Sequence, residues 1–195
     1  MQSVKKPVWF MTENQDKFRE ARSILDSQGI QIRQLKRAKV EIQDSSLDKI
    51  ARNAIKTASI DRPGLLLVED SGLFIDALRG FPGPFSSYVY DTIGLEGVLG
   101  LLEGRKRSAY FQTSIAVGSA SLQPRTFTGT VTGSISRKIV GSAGFGYDPI
   151  FIPEGFTETF GQTSQEFKNN HSHRARAFLK FAKWYKRSMT DRQSR

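Results

Sequence analysis

A short apolar run that ends in two acidic residues constrains the fold more than any other feature of this chain. Residues 65–68 are all apolar, which is typical of a buried strand. The run is followed directly by Glu69, Asp70, Ser71 and Gly72. A strand that stops there would place oxygen ligands at the carboxyl edge of a sheet, where open α/β proteins bind ligands. Carboxylates at such an edge can hold Mg²⁺ on the phosphates of a substrate, although an ordinary acidic turn would give the same pattern.

The apolar periodicity of the rest of the chain alternates between strand and helix. It predicts strands over residues 8–11, 30–35, 65–68, 108–117 and 125–135, the last two as an antiparallel pair. It predicts helices over residues 14–28, from Ser46 to about Ile60, near 95–102 and through the last quarter, with a glycine-rich loop at 141–146. We therefore expect an α/β fold with a mixed central sheet flanked by helices. The 195 residues suffice for one domain, or for two small lobes that share a sheet.

The composition excludes several classes of protein and of site. The chain has no cysteine, which rules out disulfides, thiolate metal sites and cysteine nucleophiles. No apolar stretch approaches the roughly 20 residues that span a bilayer. Residues 1–7 contain a charge pair but no apolar core of a signal peptide. We therefore expect a cytoplasmic protein with no membrane partner.

The net charge of +10 makes nucleic-acid binding a rival function. Residues 161–195 carry nine basic and two acidic residues, so +7 of this charge lies in the last part of the chain. That region is typical of one amphipathic helix, whose predicted apolar face is Ala175, Phe178, Leu179, Ala182, Tyr185 and Met189. Lys180, Lys183, Lys186 and Arg187 would then lie mostly on its solvent side. They could be a plain solvated face, or their field could concentrate anionic nucleotides. Because no basic–aromatic RNA motif or zinc finger is present, we expect no specific nucleic-acid partner.

Three further groups of residues could carry chemistry. Thr12, Asn14 and Lys17 lie where the first strand turns into the first helix, and a helix start attracts phosphate. An ordinary cap by Asn14 with a solvated Lys17 is the alternative. Glu41 and Asp70 could bind Mg²⁺, which takes only one or two carboxylates, although Glu41 could also be a plain surface residue.

The aromatic residues of the glycine-rich loop and the start of the last helix form the third group. The ring of Phe145 or Tyr147, next to Asp148, could stack on a nucleotide base, or these rings could fill the core. His171 and His173 precede Arg174 where a solvated helix cap is equally compatible with the sequence.

Seven segments in this order resemble the inosine triphosphate pyrophosphatase (Ham1-like) family of nucleotide hydrolases. The similarity runs from Val8 to Trp184. The segments are Thr12-Glu13-Asn14-Gln15-Asp16-Lys17, Val40-Glu41-Ile42-Gln43, Glu69-Asp70-Ser71-Gly72, Gly80-Phe81-Pro82-Gly83-Pro84-Phe85-Ser86, Gly144-Phe145-Gly146-Tyr147-Asp148-Pro149, Glu166-Phe167-Lys168-Asn169 and Ser172-His173-Arg174.

The resemblance implies two lobes with the nucleotide site in the cleft between them, and it implies a role for each matched residue. Glu41 and Asp70 would bind Mg²⁺, with Asp70 also the catalytic base and Glu69 a supporting acid. The residues implied to bind substrate are Thr12, Asn14, Lys17, Ser71, Phe145, Gly146, Tyr147, Asp148, Lys168, His173 and Arg174. Within this set, Lys17 and Lys168 would stabilise the departing pyrophosphate, and His173 and Arg174 would line the purine pocket.

The chain also departs from the family pattern at three places. Glu13 replaces a glycine of the phosphate loop, and Gly161-Gln162-Thr163 replaces the usual Ala-Glu-Met. Thr57 stands where bacterial members carry a lysine, so we assign no catalytic role to Thr57 or to Lys56.

The resemblance therefore predicts Mg²⁺-dependent hydrolysis of inosine and xanthosine triphosphates and their deoxy forms to the monophosphate and pyrophosphate. It predicts a single domain over residues 1–195, with the similarity over about 8–185, a flexible basic tail at 188–195, and a homodimer. The alternatives are a Maf-like pyrophosphatase acting on other nucleotides and a nucleotide- or nucleic-acid-binding protein without catalysis.

Overall fold

The structure is a computed structural model that describes residues 7–58 and 63–193. The start of the chain, the predicted end of the second helix at Ile60 and the last two residues lie outside the described residues. None of the helices within those ranges is both long and apolar enough to cross a membrane.

The described residues form seven strands and five α-helices. The strands are β1 Val8–Met11, β2 Ile32–Leu35, β3 Leu65–Ile75, β4 Pro82–Gly83, β5 Ser108–Ser119, β6 Leu122–Ile135 and β7 Phe151–Pro153. The α-helices are α1 Gln15–Asp26, α2 Leu47–Thr57, α3 Ser86–Leu101, α4 Gln165–His171 and α5 His173–Gln193. Helix α5 thus includes residues 188–193, which the sequence assigned to a tail.

The strands form one mixed sheet, which confirms the predicted fold class. Its order is β2-β1-β3-β5-β6-β7, and β4 pairs with β3. Strand β1 is parallel to both of its neighbours, with Val8 opposite Ile32 of β2 and Leu65 of β3. Strand β4 is antiparallel to β3, and β7 is antiparallel to β6.

The chain divides into two compact units. The first unit comprises the chain up to Asp70, residues 114–128 and the chain from Ala177 onward, and the second comprises residues 71–113 and 129–176. Strands β3, β5 and β6 and helix α5 each contribute residues to both units.

One part of the core of the first unit forms between the sheet and helix α2. Apolar residues at helical spacing place one face of α2 on the strands. Phe10 of β1 packs edge-on against Phe178 of α5, with ring centroids 5.7 Å apart. Both tryptophans of the chain, Trp9 and Trp184, belong to this unit. The buried residues of this core are Met11, Ala51, Ala54, Ile55, Leu66, Val68 and Ala116.

The core of the second unit is rich in aromatic residues. Phe111 packs on Phe151 at 4.6 Å, and Phe151 stacks on Phe160 at 5.6 Å. Helix α3 lies against this core through Val89, Leu95 and Val98. It bends at Gly94, whose φ of 64° and ψ of −167° are not helical.

Strand β3 corrects the first sequence expectation, because it does not stop before Asp70. It continues through the acidic segment to Ile75. The extension is possible because Leu73 and Phe74 pair with Gly83 and Pro82 of β4. Gly72 permits the pairing, since a Cβ atom there would lie 2.2 Å from the Gly83 carbonyl oxygen.

The helical predictions need two corrections. Helix α3 begins at Ser86, well before the predicted residue 95. The last quarter is two helices rather than one, because Ser172 has extended backbone and its hydroxyl accepts the Ala175 N–H at 3.1 Å, which starts α5 anew. Leu179, predicted to be buried, is 41% exposed, and Phe181 occupies the core instead.

Candidate functional site

Four candidate residues, Lys17, Glu41, Glu69 and Asp70, form an acid–lysine cluster together with Lys39. All five belong to the first unit. The two acids of β3 are buried in the middle of that strand. Lys39 and Glu41 come from residues 36–46, which form neither helix nor strand, and Lys17 comes from the first turns of α1.

Lys39 lies at the centre of this cluster. Its Nζ atom is 2.8 Å from Glu41 Oε1 and 3.4 Å from Asp70 Oδ1, and it donates to the Glu69 carbonyl oxygen at 2.6 Å. Its side chain is only 17% exposed. Three oxygens from two separate parts of the chain therefore converge on one cationic group.

Burial and the charges of the cluster together shift two pKa values. Burial by itself lowers the pKa of Lys39, but the nearby charges of Asp70 and Glu41 outweigh it and hold that pKa above its ordinary value. Burial raises the pKa of Asp70, and the charges of Lys39 and Lys17 oppose that rise without cancelling it.

The oxygens around Lys39 are also of the kind that Mg²⁺ prefers as ligands. Magnesium takes oxygen ligands, usually one or two carboxylates, with water and phosphate oxygens for the rest. Among residues 7–58 and 63–193, no three His, Asp or Glu side chains group as metal ligands. Two carboxylates, from Glu41 and Asp70, are compatible with a magnesium ion completed by water and substrate, so these residues fit the implied metal.

The turn into α1 contains the helix cap that the sequence offered as one interpretation. Asn14 caps the helix, since its Oδ1 accepts the Lys17 N–H at 2.9 Å, and the Thr12 hydroxyl accepts the Asn14 N–H at 3.2 Å. The Lys17 side chain is 20% exposed, and its Nζ lies 3.6 Å from Oε1 of the fully buried Glu69 side chain. Glu13 is exposed.

The second group of candidates forms a Phe145 cluster in the second unit, made of Ser71, Phe145, Asp148, Lys168 and Arg174. Asp148 Oδ2 accepts the Phe145 N–H at 2.7 Å and forms an ion pair with Lys168. Asp148 and Lys168 are each 2% exposed. Gly144 is required beside this pair, since its φ is +73° and a Cβ there would lie 2.1 Å from Asp148 Oδ2.

The Phe145 ring lies beside two cations. Lys168 Nζ is 4.5 Å from the ring centroid, and Arg174 Cζ is 5.4 Å from it, both within cation–π range. Arg174 also donates from Nη2 to the Ser71 hydroxyl at 3.3 Å. The ring itself is half-buried. The loop, α4 and the start of α5 thus contribute to one cluster.

Other predicted substrate residues lie in the core. The Tyr147 ring is buried and packs against Tyr90, and its hydroxyl donates to the Ser86 carbonyl oxygen at 2.8 Å. Burial, followed by the charge of Asp91, raises the pKa of Tyr147. His173 stacks on Phe111 with centroids 4.5 Å apart. Tyr147 therefore fits the core-filling alternative that the sequence left open.

The remaining candidates and departures have local explanations. Gly146 has a φ of +60° with no atom near the position of a Cβ. Gln162 accepts the Thr159 N–H at 3.1 Å and stabilises a short 3₁₀ turn. The Thr57 hydroxyl donates to the Asn53 carbonyl oxygen at 2.9 Å, within its own helix.

Lys39 is the residue that the sequence did not single out. A weak signal was present, because Lys39 and Glu41 are two positions apart, and alternate residues of an extended segment point to the same side. Nothing in the sequence indicates that this segment reaches Asp70, which lies 31 residues away along the chain.

The chain is similar to proteins of known activity and structure. It is 48% identical to the dITP/XTP pyrophosphatase of Saccharolobus solfataricus, over 89% of this chain and 91% of that protein. It is 45% identical to the enzyme of the same name from Thermococcus kodakarensis, over 92% and 97%.

Solved structures agree with this similarity. A HAM1 protein from Coxiella burnetii matches with a TM-score of 0.75 and 27% identity, over 93% of this chain and 98% of that one. The Ham1 protein of Staphylococcus aureus matches with a TM-score of 0.76 and 25% identity, over 93% and 99%. The sequence model of the Ham1 family matches residues 8–184, so the chain belongs to the Ham1 family.

Proposed function

We propose that this protein is a Mg²⁺-dependent pyrophosphatase of non-canonical purine nucleoside triphosphates. Its substrates are inosine triphosphate, its deoxy form and xanthosine triphosphate, and its products are the monophosphate and pyrophosphate. Family membership and relatives named dITP/XTP pyrophosphatase support the class of reaction. The activity serves to remove these nucleotides from the cytoplasmic pool.

The observation that carries the proposal is the convergence of Glu41 Oε1 and Asp70 Oδ1 within 3.4 Å of one cationic atom. These two carboxylates would hold Mg²⁺. The ion, when bound, supplies a Lewis acid that polarises a phosphoryl oxygen. Glu69 keeps its carboxylate beside Lys17 and is a supporting acid rather than a ligand.

In this proposal, water attacks the α-phosphorus of the substrate. A new bond forms between the water oxygen and phosphorus, the bond to the bridging oxygen breaks, and pyrophosphate leaves. Asp70 accepts the proton of the attacking water. Its burial, which raises its pKa, makes it a stronger base than a solvated aspartate.

We assign the phosphates to the start of α1 and to its lysine. Lys17 and the backbone N–H groups of that first turn favour negative charge, and the Thr12 and Asn14 side chains fix the shape of the turn. Ser71, the neighbour of Asp70 in β3, is assigned to the same phosphates. Lys168 is left out of this group, because its ammonium is paired with Asp148.

We assign the purine base to the Phe145 cluster. A purine can stack on the half-buried Phe145 ring, which contributes about 1–3 kcal/mol per base in other proteins. Arg174 donates to the C6 oxygen of hypoxanthine or xanthine, and Gly146, next to Phe145, is assigned to the same base. Asp148, Tyr147 and His173 hold the loop and the helix start in place.

The decisive experiment is a Mg²⁺-dependent assay that identifies both products. The purified protein should convert inosine triphosphate to inosine monophosphate and release pyrophosphate, and chelation of the metal should stop the reaction. Release of orthophosphate instead would indicate cleavage at another bond and would contradict the assignment. A homodimer is part of the proposal and is tested by light scattering at micromolar concentration.

Asp70→Asn is the variant that tests the site. Asparagine keeps the shape of the side chain but lacks its charge and basicity, so we expect Mg²⁺-dependent turnover to be lost, by about 10³-fold or more. The far-ultraviolet circular dichroism spectrum should stay unchanged. Asp44→Asn, on a partly buried acid of the same 36–46 segment that contacts Lys49 rather than Lys39, is the matched control. Near-normal turnover by Asp70→Asn at saturating Mg²⁺ would remove Asp70 from the catalytic centre.

A further inference from the structure

We propose that Lys39 is a built-in counter-ion of the metal site. Its ammonium group holds Glu41 and Asp70 together in the metal-free protein, and a divalent metal ion displaces it from both carboxylates. The inference rests on the proposed function, because it takes those two carboxylates as the metal ligands.

The hydrogen bonds of Lys39 match those of a resident cation. An ammonium group has three donors, and Lys39 Nζ has three oxygens within 3.4 Å: one from Glu41, one from Asp70 and the Glu69 carbonyl. The side chain is 17% exposed and that of Asp70 is 10% exposed. This burial distinguishes the contact from a surface ion pair, which contributes little and is easily replaced by water.

The ion pairs of the cluster indicate that Lys39 is the cation that neutralises the two metal-binding carboxylates. Three carboxylates, those of Glu41, Glu69 and Asp70, face two lysines. Lys17 forms its ion pair with Glu69, whereas Lys39 forms ion pairs with both Glu41 and Asp70. A magnesium ion needs the same two carboxylates at closer range, and two cations that share a pair of ligands repel each other strongly.

The position of Lys39 allows it to leave. It lies in residues 36–46, which form neither helix nor strand, so its movement breaks no ladder of backbone hydrogen bonds. Glu41 is 53% exposed at its side chain and can turn toward a metal ion, whereas Asp70 is fixed in β3. Exchange of the ammonium for a metal ion therefore requires movement of the segment side chains and leaves the sheet in place.

The test is the direct binding of Mn²⁺ to the nucleotide-free protein, measured by electron paramagnetic resonance and by calorimetry. Lys39→Met keeps the length of the side chain but removes its charge. We expect the Mn²⁺ dissociation constant to fall by roughly fivefold or more, because the competing cation is gone. Lys39→Arg, which keeps the charge, should stay within about twofold of the natural protein.

Two further measurements separate this role from a structural one. Lys36→Met removes an exposed lysine of the same segment and should leave Mn²⁺ affinity unchanged. In chelator, Lys39→Met should unfold at a lower temperature than the natural protein, because two carboxylates then face each other without their counter-ion. Saturating Mn²⁺ should raise its unfolding temperature more than it raises that of the natural protein.

The outcomes distinguish the inference from the proposed function. Unchanged or weaker Mn²⁺ binding by Lys39→Met overturns the counter-ion role, even if the natural protein hydrolyses inosine triphosphate normally. Tighter binding by Lys39→Met that Asp70→Asn abolishes supports it. Failure of the natural protein to bind Mn²⁺ at all contradicts both the inference and the metal site.

Discussion

Buried charged side chains organise the Phe145 cluster. Asp148, Lys168 and Arg174 are each 2% exposed, and a buried charge is costly unless it is paired or hydrogen-bonded. Asp148 pairs with Lys168 at a separation of 20 residues, and Arg174 reaches Ser71 across 103 residues. The sequence motifs identified these residues as candidates, but partners so far apart in the chain follow only from the tertiary structure.

Selectivity among purines depends, in the proposed function, on Arg174. Arg174→Met keeps the bulk beside Phe145 but removes the donors that face a C6 oxygen. Loss of such a bond costs about 1–3 kcal/mol, so we expect the ratio of kcat/KM for inosine triphosphate over adenosine triphosphate to fall roughly 10- to 100-fold. Steady-state assays with both nucleotides measure it.

Arg176→Met is the control for this prediction. Arg176 is the exposed arginine two residues further along α5, and it donates to the Thr130 carbonyl oxygen. The ratio should not change in that variant. If Arg174→Met slows both substrates equally, Arg174 is a phosphate-binding or structural residue.

Among the secondary structure elements, β3 shows where a sequence pattern misleads. Polar residues after an apolar run usually end a strand, but Glu69, Asp70 and Ser71 remain in β3 because the sheet and the cluster around Lys39 accommodate them. The caps of α1 and α2, by contrast, were readable from Asn14 and Ser46, since each side chain bonds the first turn of its own helix. Local signals were thus predictable, and the extension of β3 was not.

Gly72→Ala tests the contact that allows this extension. The added Cβ would lie 2.2 Å from the Gly83 carbonyl oxygen, so β4 must move or lose its pairing with β3. We expect the free energy of unfolding to fall by about 2 kcal/mol, measured by urea denaturation.

Gly100→Ala is the matched control for Gly72→Ala. Gly100 lies in α3 with no atom within 4 Å of the position of its Cβ. Because alanine favours a helix over glycine, this variant should gain up to about 1 kcal/mol. Equal stability of the two variants would show that the close approach at Gly72 is not a constraint.

For the whole molecule, the composition predicted a globular protein, and the sequence patterns predicted a mixed sheet. The order of the strands in that sheet could be read only from the structure. The four basic residues expected on the solvent face of α5 are all exposed: Lys180, Lys183, Lys186 and Arg187. The periodicity of the sequence did not identify the buried face of α5 correctly, because Leu179 is exposed and Phe181 is buried. A helical pattern gives the spacing of the apolar residues, but the neighbouring elements decide which of those residues are buried.

A net charge of +10 should affect how the protein captures an anionic substrate. Raising the salt concentration from about 20 mM to about 150 mM shortens the range of the field to about 8 Å, so we expect kcat/KM to fall about threefold. Stopped-flow or steady-state kinetics at several salt concentrations measure this change.

Duplex DNA provides the contrasting case. Binding through exposed lysines should be weak, independent of sequence and lost as salt rises. Tight and sequence-selective binding at physiological salt, measured by fluorescence anisotropy, would instead support the nucleic-acid-binding alternative.

The placement of the tryptophans gives the first unit a spectroscopic signal of its own. Trp9 and Trp184 both lie in the first unit, whereas four of the five tyrosines, Tyr88, Tyr90, Tyr110 and Tyr147, lie in the second. Fluorescence excited at the red edge of the absorption spectrum comes from tryptophan and not from tyrosine. It therefore reports the first unit alone. If its melting curve coincides with that of the circular dichroism of the whole chain, the two units unfold as one cooperative system.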